Sequence, residues 1–282
     1  MNCMNNRNIF EKVILMLGIF LLVGCHRTIF HPAGIVAIKQ YQLIFIAFVA
    51  MLTLVIPVIL MTLFFVYKYR HVKMSTYTPN WSYSTKVELM VWFIPVMIVC
   101  FLAALAWQTS NGLDPRKKII SVRKPVIINV IALDWNWLFV YPEAHIATMN
   151  EIVIPNNTPI HFNITSSSVM SAFFIPKLGS QIYAMPKMNS VLNLMAKFPG
   201  VYHGLSSNYN GQGFSNMKFN TIVVPNNYIF HKWVKRVQHV PEKLNTFHKF
   251  QLIAQPSLLH SVKYFSSVYP NLFNRVMYRM LS

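Results

Sequence analysis

Cysteine is scarce in this chain, and its three copies are Cys3, Cys25 and Cys100. Two of them lie within the first 25 residues and the third lies inside a long apolar run. Disulfides and thiolate-bound metals both require cysteine, so the part of the chain that follows this run can hold neither.

Acidic side chains are also scarce, with seven Asp and Glu against 25 Lys and Arg. No two of them form a close pair, so a hydrolase that works with two carboxylates has little support. The ten histidines include no His-x-His or His-x-x-x-His pair, and no Gly-x-Ser-x-Gly or phosphate-binding loop occurs. The sequence therefore carries no local signature of a metal site or of a common hydrolase.

The N-terminus has the pattern of a bacterial lipoprotein signal. Arg7 and Lys12 precede an apolar run at residues 13–23, which is too short to span a bilayer as a stable helix. The run ends in Leu-Val-Gly-Cys, which resembles a lipobox cut before Cys25. We expect residues 1–24 to be a signal peptide and Cys25 to carry lipid on the outer face of a membrane. The alternative is a first transmembrane helix with a chance cysteine.

Two uncharged apolar runs follow, at residues 43–67 and 89–107, and each is long enough to cross a bilayer. The loop between them is rich in Lys and Arg, which keeps short loops in the cytoplasm. Residues 25–107 are therefore predicted to be a lipidated transmembrane hairpin, and everything after it is exported. The net charge of +18 could suggest nucleic-acid binding, but the basic residues are scattered and exported, so attraction to anionic lipid is preferred and no nucleic-acid partner is expected.

The exported part divides into three segments. Residues 108–124 are polar and basic and are expected to be a linker. Residues 125–225 contain short runs of β-branched and aromatic residues separated by turn residues, a pattern typical of an antiparallel sandwich or barrel. Residues 226–282 return to helical spacing and are expected to form a C-terminal helical extension, with one or two short basic amphipathic helices in residues 256–282.

Three motifs in the β region carry a resemblance to a known family. They are Phe-Phe-Ile-Pro-Lys-Leu-Gly-Ser-Gln-Ile-Tyr-Ala-Met at residues 173–185, Pro-Gly-Val-Tyr at 199–202 and the run from 204 to 217. Together with the two spans and the Trp135-Asn136-Trp137 segment, they resemble subunit II of the haem-copper respiratory oxidases. The resemblance covers nearly the whole mature chain. It implies a membrane α plus all-β fold, in which the transmembrane hairpin precedes a cupredoxin-like antiparallel β-sandwich with C-terminal helices.

In the cytochrome c oxidases of this family the sandwich holds a copper pair, bound by a histidine and by a Cys-x3-Cys-x3-His-x2-Met run. The resemblance places those ligand positions on Ser171, Ser206, Asn210, Phe214 and Met217 of this chain. A family glutamate linked to magnesium is replaced by Asn208. Hydroxyl and amide groups cannot replace bridging thiolates, so we expect no copper in this domain.

Loss of the copper ligands is typical of the quinol-oxidising branch, the cytochrome bo-type ubiquinol oxidases. The resemblance then implies a non-catalytic subunit of a proton-pumping ubiquinol oxidase in the bacterial inner membrane, with its lipidated N-terminus and C-terminal domain in the periplasm. Its partners would be a haem- and copper-bearing subunit I, further small membrane subunits and the lipid bilayer, with no cytochrome c. The alternatives are a copper-relay cytochrome c oxidase subunit II and a non-respiratory envelope scaffold lipoprotein.

Two features of the sequence have both a functional and a structural interpretation. Trp135 and Trp137 align with the segment where an electron donor docks in copper-bearing relatives, but without such a donor they are expected to be packing residues. Glu88 is the acidic residue at the cytoplasmic end of the second span, where charge is costly and often functional. It matches the family's glutamate near the mouth of a proton-uptake path, and the alternative is a charge that simply snorkels to the interface.

Overall fold

The computed structural model describes residues 30–69, 83–258 and 261–279. The predicted signal peptide, Cys25 and most of the basic loop between the two spans lie outside the described residues.

Two long apolar helices precede the β domain: α1 spans Ile35–Lys68 and α2 spans Thr85–Gly112. Both are long and apolar enough to cross a membrane, and the most apolar stretch of each is not buried by the rest of the described chain. They contain the predicted spans and continue one to two turns beyond them at their exported ends. In the extra turn of α2, the side chains of Thr109 and Asn111 donate hydrogen bonds to carbonyl oxygens four residues earlier.

Eleven strands within the described residues form two sheets. Their bounds are Val126–Ala132 (β1), Trp137–Tyr141 (β2), Ile146–Met149 (β3), Glu151–Pro155 (β4), Ile160–Ser166 (β5), Ser171–Phe174 (β6), Ile182–Ala184 (β7), Ser190–Leu194 (β8), Gly200–Ser206 (β9), Lys218–Val224 (β10) and Lys263–Phe265 (β11). One sheet has the order β11-β3-β2-β1-β5-β8 and the other has the order β4-β10-β9-β6-β7. The predicted sandwich is confirmed.

Seven of the strand pairs in the two sheets are antiparallel, as predicted. Two pairs are parallel, β1 with β5 and β4 with β10. In both parallel pairs the chain returns to lie beside one of its own earlier strands after visiting the other sheet. The local residue pattern predicts the strands but does not predict which strands become neighbours.

Aromatic rings fill the space between the two sheets. Phe173 of β6 is fully buried, and its ring centroid lies 5.3 Å from that of Trp137, 5.4 Å from Phe162 and 5.1 Å from Phe219. These residues come from four strands in both sheets, so the cluster holds the two sheets together. Trp137, which was expected to be a packing residue, is at the centre of this core.

The C-terminal extension contains α3 (Asn227–Gln238), α4 (Phe247–Ile253) and α5 (Leu272–Arg279). The buried residues of α3 join the inner core, whereas α4 and α5 cover the outer face of the larger sheet. Apolar residues of α4 and α5 pack against strand residues that point away from the inner core, and these form a second cluster: Ile131, Leu133, Leu138, Val140, Ala147, Met149, Leu244, Phe250, Phe265, Leu272, Phe273 and Val276. Strands β1 and β2 are thus buried on both faces.

One part of the extension was expected to be helical and is instead a strand. β11 pairs antiparallel with β3 and closes that edge of the sheet. Its Tyr264 hydroxyl donates a hydrogen bond to the Glu151 carboxylate, and burial together with this bond raises the pKa of Tyr264. The strand has three residues, too few to give a period-2 pattern in the sequence.

The first helix is joined to the sandwich by backbone hydrogen bonds. The N–H groups of Ala33 and Gly34 both donate to the Lys177 carbonyl, at 2.8 and 2.9 Å, and the Lys197 N–H donates to the Ala33 carbonyl at 2.8 Å. A Cβ atom on Gly34 would lie 2.1 Å from the Leu178 carbonyl oxygen. This backbone approach requires glycine, so α1 enters the membrane from a fixed point on the domain.

Candidate functional site

The positions predicted to correspond to the copper ligands of the family lie at one end of the smaller sheet. Ser171 begins β6 and Ser206 ends β9, and both are buried. The loop from β9 to β10 carries the other three positions and includes a 3-10 turn at Phe214–Asn216. This loop is closed by a 3.0 Å hydrogen bond from the Ser206 N–H to the Met217 carbonyl.

Hydrogen bonds connect three of these positions directly. The Asn210 side-chain amide donates to Ser171 Oγ at 2.8 Å and lies 3.0 Å from Met217 Sδ. Met217 is fully buried. Ser206 lies beside this group, and its Oγ accepts a 3.4 Å hydrogen bond from the Ala172 N–H while donating to the Asn208 carbonyl at 3.2 Å.

Phe214 is not part of this polar group. Its ring packs against Tyr209, with the two centroids 5.7 Å apart, and Tyr209 is itself 74% exposed. The position that carries imidazole in copper-bearing relatives is therefore occupied by an apolar side chain at the surface of the loop.

Trp135 packs against the loop between β9 and β10. Its indole Nε1–H donates to the Asn210 carbonyl at 3.3 Å. A Cβ atom on Gly213 would lie 2.4 Å from the indole ring, so the close packing of the ring on the loop requires glycine at position 213. The sequence predicted only a packing role for Trp135. The glycines at 211 and 213, in a chain with nine glycines, were the available signal for this contact.

The donor atoms at this site do not fit a copper pair. A dinuclear centre needs bridging thiolates and imidazoles, whereas the side chains here offer two hydroxyls, one amide, one phenyl ring and one thioether. The side-chain amide of Asn210 also donates a hydrogen bond to the Met217 sulfur, which is the one soft ligand atom in the group. Hydrogen bonds among neutral groups, and not metal–ligand bonds, join Asn210 to Ser171 and Met217.

Across residues 30–69, 83–258 and 261–279, no group of three or more His, Cys, Asp or Glu side chains lies close enough to hold a metal ion.

Glu88 lies far from this loop. It is exposed in the first turn of α2, where a carboxylate interacts favourably with the helix dipole, and its N–H donates to the Ser84 carbonyl at 3.0 Å. The 24 residues from Glu88 to Gly112 span roughly 36 Å of helix, so Glu88 and the degenerate copper loop lie on opposite sides of the membrane.

Comparison with known proteins agrees with this arrangement. Residues 141–226 match the family described as cytochrome c oxidase subunit II, periplasmic domain, and residues 238–281 match the COX aromatic rich motif. The cytochrome bo(3) ubiquinol oxidase subunit 2 of Buchnera aphidicola subsp. Schizaphis graminum is 50% identical over 97% of this chain and 94% of its own length.

More distant relatives have the same kind of name. The corresponding Pseudomonas putida protein is 46% identical over 94% of this chain and 84% of its own length. The quinol oxidase subunit 2 of Bacillus anthracis is 35% identical over 91% of this chain and 90% of its own length. These relatives support the quinol-oxidase prediction over a copper-relay cytochrome c oxidase subunit and over a scaffold lipoprotein. The chain belongs to the family of cytochrome bo(3) ubiquinol oxidase subunit 2.

Proposed function

We propose that this chain is the non-catalytic subunit II of a ubiquinol oxidase, and that electrons pass from ubiquinol to oxygen without entering it. The observation that supports this proposal is the donor set of the degenerate copper loop. Neutral hydroxyl, amide and phenyl groups stand where a relay centre needs thiolates and imidazoles. The haems and copper of the complex would lie in subunit I, and this chain would need no cytochrome c.

The chain would contribute a membrane anchor and an outer domain to the complex. Apolar side chains cover both helices and are left exposed by the chain itself. These surfaces are available to subunit I, to further small membrane subunits and to lipid. The fixed junction at Gly34 would then hold the sandwich in one position above the partner.

Purification of the native complex from membranes tests this proposal. A haem-bearing large subunit should copurify with this chain, and the complex should oxidise ubiquinol. Copper bound to this chain with a thiolate absorption band would contradict the proposal and favour a copper relay. Copurification of an envelope or export complex without haem would favour a scaffold.

We also propose that Cys25 is the lipid attachment site after removal of residues 1–24. Leu-Val-Gly-Cys supplies the motif, and the outside position of Cys25 agrees with the inside position of the basic loop. The mass of the mature N-terminal peptide measures this directly. A peptide that retains residues before Cys25, or an unmodified Cys25, would contradict the proposal.

Glu88 is our candidate for proton entry. It is the acidic side chain in the first turn of α2, at the cytoplasmic end predicted from loop charge. We expect Glu88→Gln to lower turnover and proton uptake by about tenfold or more while the complex still assembles, because the variant cannot carry a proton. Lys86→Gln, which removes a charge two residues away, is the matched control. Turnover and proton uptake at wild-type rates in an assembled Glu88→Gln complex would leave Glu88 as an interface charge.

A further inference from the structure

A basic cavity lies where the two helices meet the exported domain. It has a volume of about 380 Å³, and its walls come from the first turns of α1, the end of α2, the segment that follows α2, and β8. The charged side chains that line it are Lys39, Lys117, Lys118 and Asp114. Three positive charges against one negative charge favour an anionic occupant.

The helix lengths place this cavity in the headgroup layer of the membrane. Lys39 lies four residues before the uncharged run that starts at Leu43, or roughly 6 Å above it. Gly112 lies five residues beyond Trp107, or roughly 7.5 Å above the second apolar run. Headgroups occupy roughly 5–8 Å on each side of the hydrocarbon core, so both helices give the same depth.

Among the described residues, Asp114 is the one carboxylate that lines the cavity, so the charge of the three lysines is only partly balanced. The Lys117 ammonium donates one hydrogen bond, at 2.6 Å, to the Asn111 carbonyl in the last turn of α2, which leaves two N–H groups available. In the described parts of the chain, neither Lys39 nor Lys118 forms an ion pair with a carboxylate. Asp114 instead accepts a 2.9 Å hydrogen bond from the Arg116 N–H.

The cavity walls are fixed rather than loose. The Asn193 side chain on β8 donates to the carbonyl oxygens of Pro115 and Arg116, at 3.2 and 3.1 Å, and the Asn193 N–H donates to the Pro115 carbonyl at 2.9 Å. Pro115 and Arg116, in the middle of the segment predicted to be a linker, are therefore bonded to the sheet. This arrangement holds Lys117 and Lys118 close to the membrane.

We propose that this cavity binds the headgroup of an acidic phospholipid from the outer leaflet. Its phosphate would lie among the three lysine ammonium groups. The acyl chains would follow the apolar surface of α1 below Lys39, where Ile46 lies two turns further on the same face and is 41% exposed. The proposal depends on the two-span membrane arrangement and not on the role of the complex in quinol oxidation.

Native mass spectrometry of the purified, delipidated complex, titrated with phosphatidylglycerol, tests this site. We expect the Lys39→Gln/Lys117→Gln/Lys118→Gln variant to bind phosphatidylglycerol on the order of 100-fold more weakly, since each lysine near an anionic lipid contributes roughly fivefold. Binding of phosphatidylcholine should not change. Inorganic phosphate, the second probe, should not compete at the concentrations at which phosphatidylglycerol binds.

Two control variants separate specific binding from general charge. Arginine at the same three positions should preserve binding, and Lys232→Gln/Lys235→Gln/Lys249→Gln, which removes three exposed charges on α3 and α4, should leave it unchanged. If the triple cavity variant does not assemble, the single Lys118→Gln variant should still lose roughly fivefold. Equal phosphatidylglycerol binding by wild type and the glutamine variants of the cavity would overturn the proposal. Equal binding is the result expected if subunit I fills the cavity. Displacement by inorganic phosphate would show a free-anion site instead.

Discussion

Four substitutions should convert the degenerate loop into a copper centre: Ser171→His, Ser206→Cys, Asn210→Cys and Phe214→His, with the native Met217 retained. We expect the purified full-length variant to bind a copper pair and to show a thiolate-to-copper absorption band that the wild-type chain lacks. The reason is that four of the five positions already lie together, and Phe214 is on the same loop. Asn210 contacts both Ser171 and Met217, and Ser206 is bonded to Met217 through the backbone.

The two histidine substitutions without the cysteines are the matched control for this experiment. Imidazoles and one thioether cannot bridge two copper ions, so the double variant should show no thiolate band and weaker copper binding. Copper per chain, measured after dialysis, and the visible spectrum give the result. A folded four-position variant that remains colourless with copper would mean that the loop has lost the shape of a metal site as well as its ligands.

The expected result depends on how the loop is supported. Trp135 packs against it and bonds to the Asn210 carbonyl, while β6 and β9 hold its two ends from within the sheet. None of these contacts involves a metal. A loop held by the sheet, an indole ring and internal hydrogen bonds does not depend on a metal for its geometry, so we expect it to accept the ligands without refolding.

Much of the architecture could be predicted from local sequence, because its signals are local. The length of an apolar run such as 43–67 is enough to predict a membrane-spanning helix, and short β-branched runs are enough to predict strands. The pairing of β1 with β5 could not be predicted this way, since it depends on where the chain returns after visiting the other sheet. β11 was missed because its three residues are ordered by pairing with β3 and by the Tyr264–Glu151 hydrogen bond.

The candidate site could likewise be predicted only in part from the sequence. The resemblance indicated which positions correspond to copper ligands, but not what they do without copper. The hydrogen bond between Asn210 and Ser171 joins residues 39 apart, and the Trp135 indole bonds to a carbonyl 75 residues away. Trp135 also has a positive φ of 67°, which no propensity for tryptophan predicts. These features follow from tertiary packing and become visible only in the folded chain.

The largest loss of stability is expected from Phe173→Ala. The Phe173 side chain is fully buried, and its ring lies within 5.5 Å, centroid to centroid, of Trp137, Phe162 and Phe219. Truncation removes the transfer free energy of the ring and leaves a cavity that rigid neighbours cannot fill. We expect the free energy of unfolding to fall by about 3–5 kcal/mol. Denaturant unfolding of the full chain in detergent, followed by near-UV circular dichroism, measures it.

Tyr209→Ala is the control for this truncation, because it removes a ring of similar size that is 74% exposed. Its effect should stay within about 0.5 kcal/mol. Phe173 lies two residues after Ser171 on the same strand, so the two side chains point to the same face of β6. Loss of the ring should therefore disturb the loop as well as the core, and the four-position copper variant should lose metal affinity when it also carries Phe173→Ala. If Phe173→Ala costs less than about 1 kcal/mol, the aromatic cluster is not what joins the two sheets.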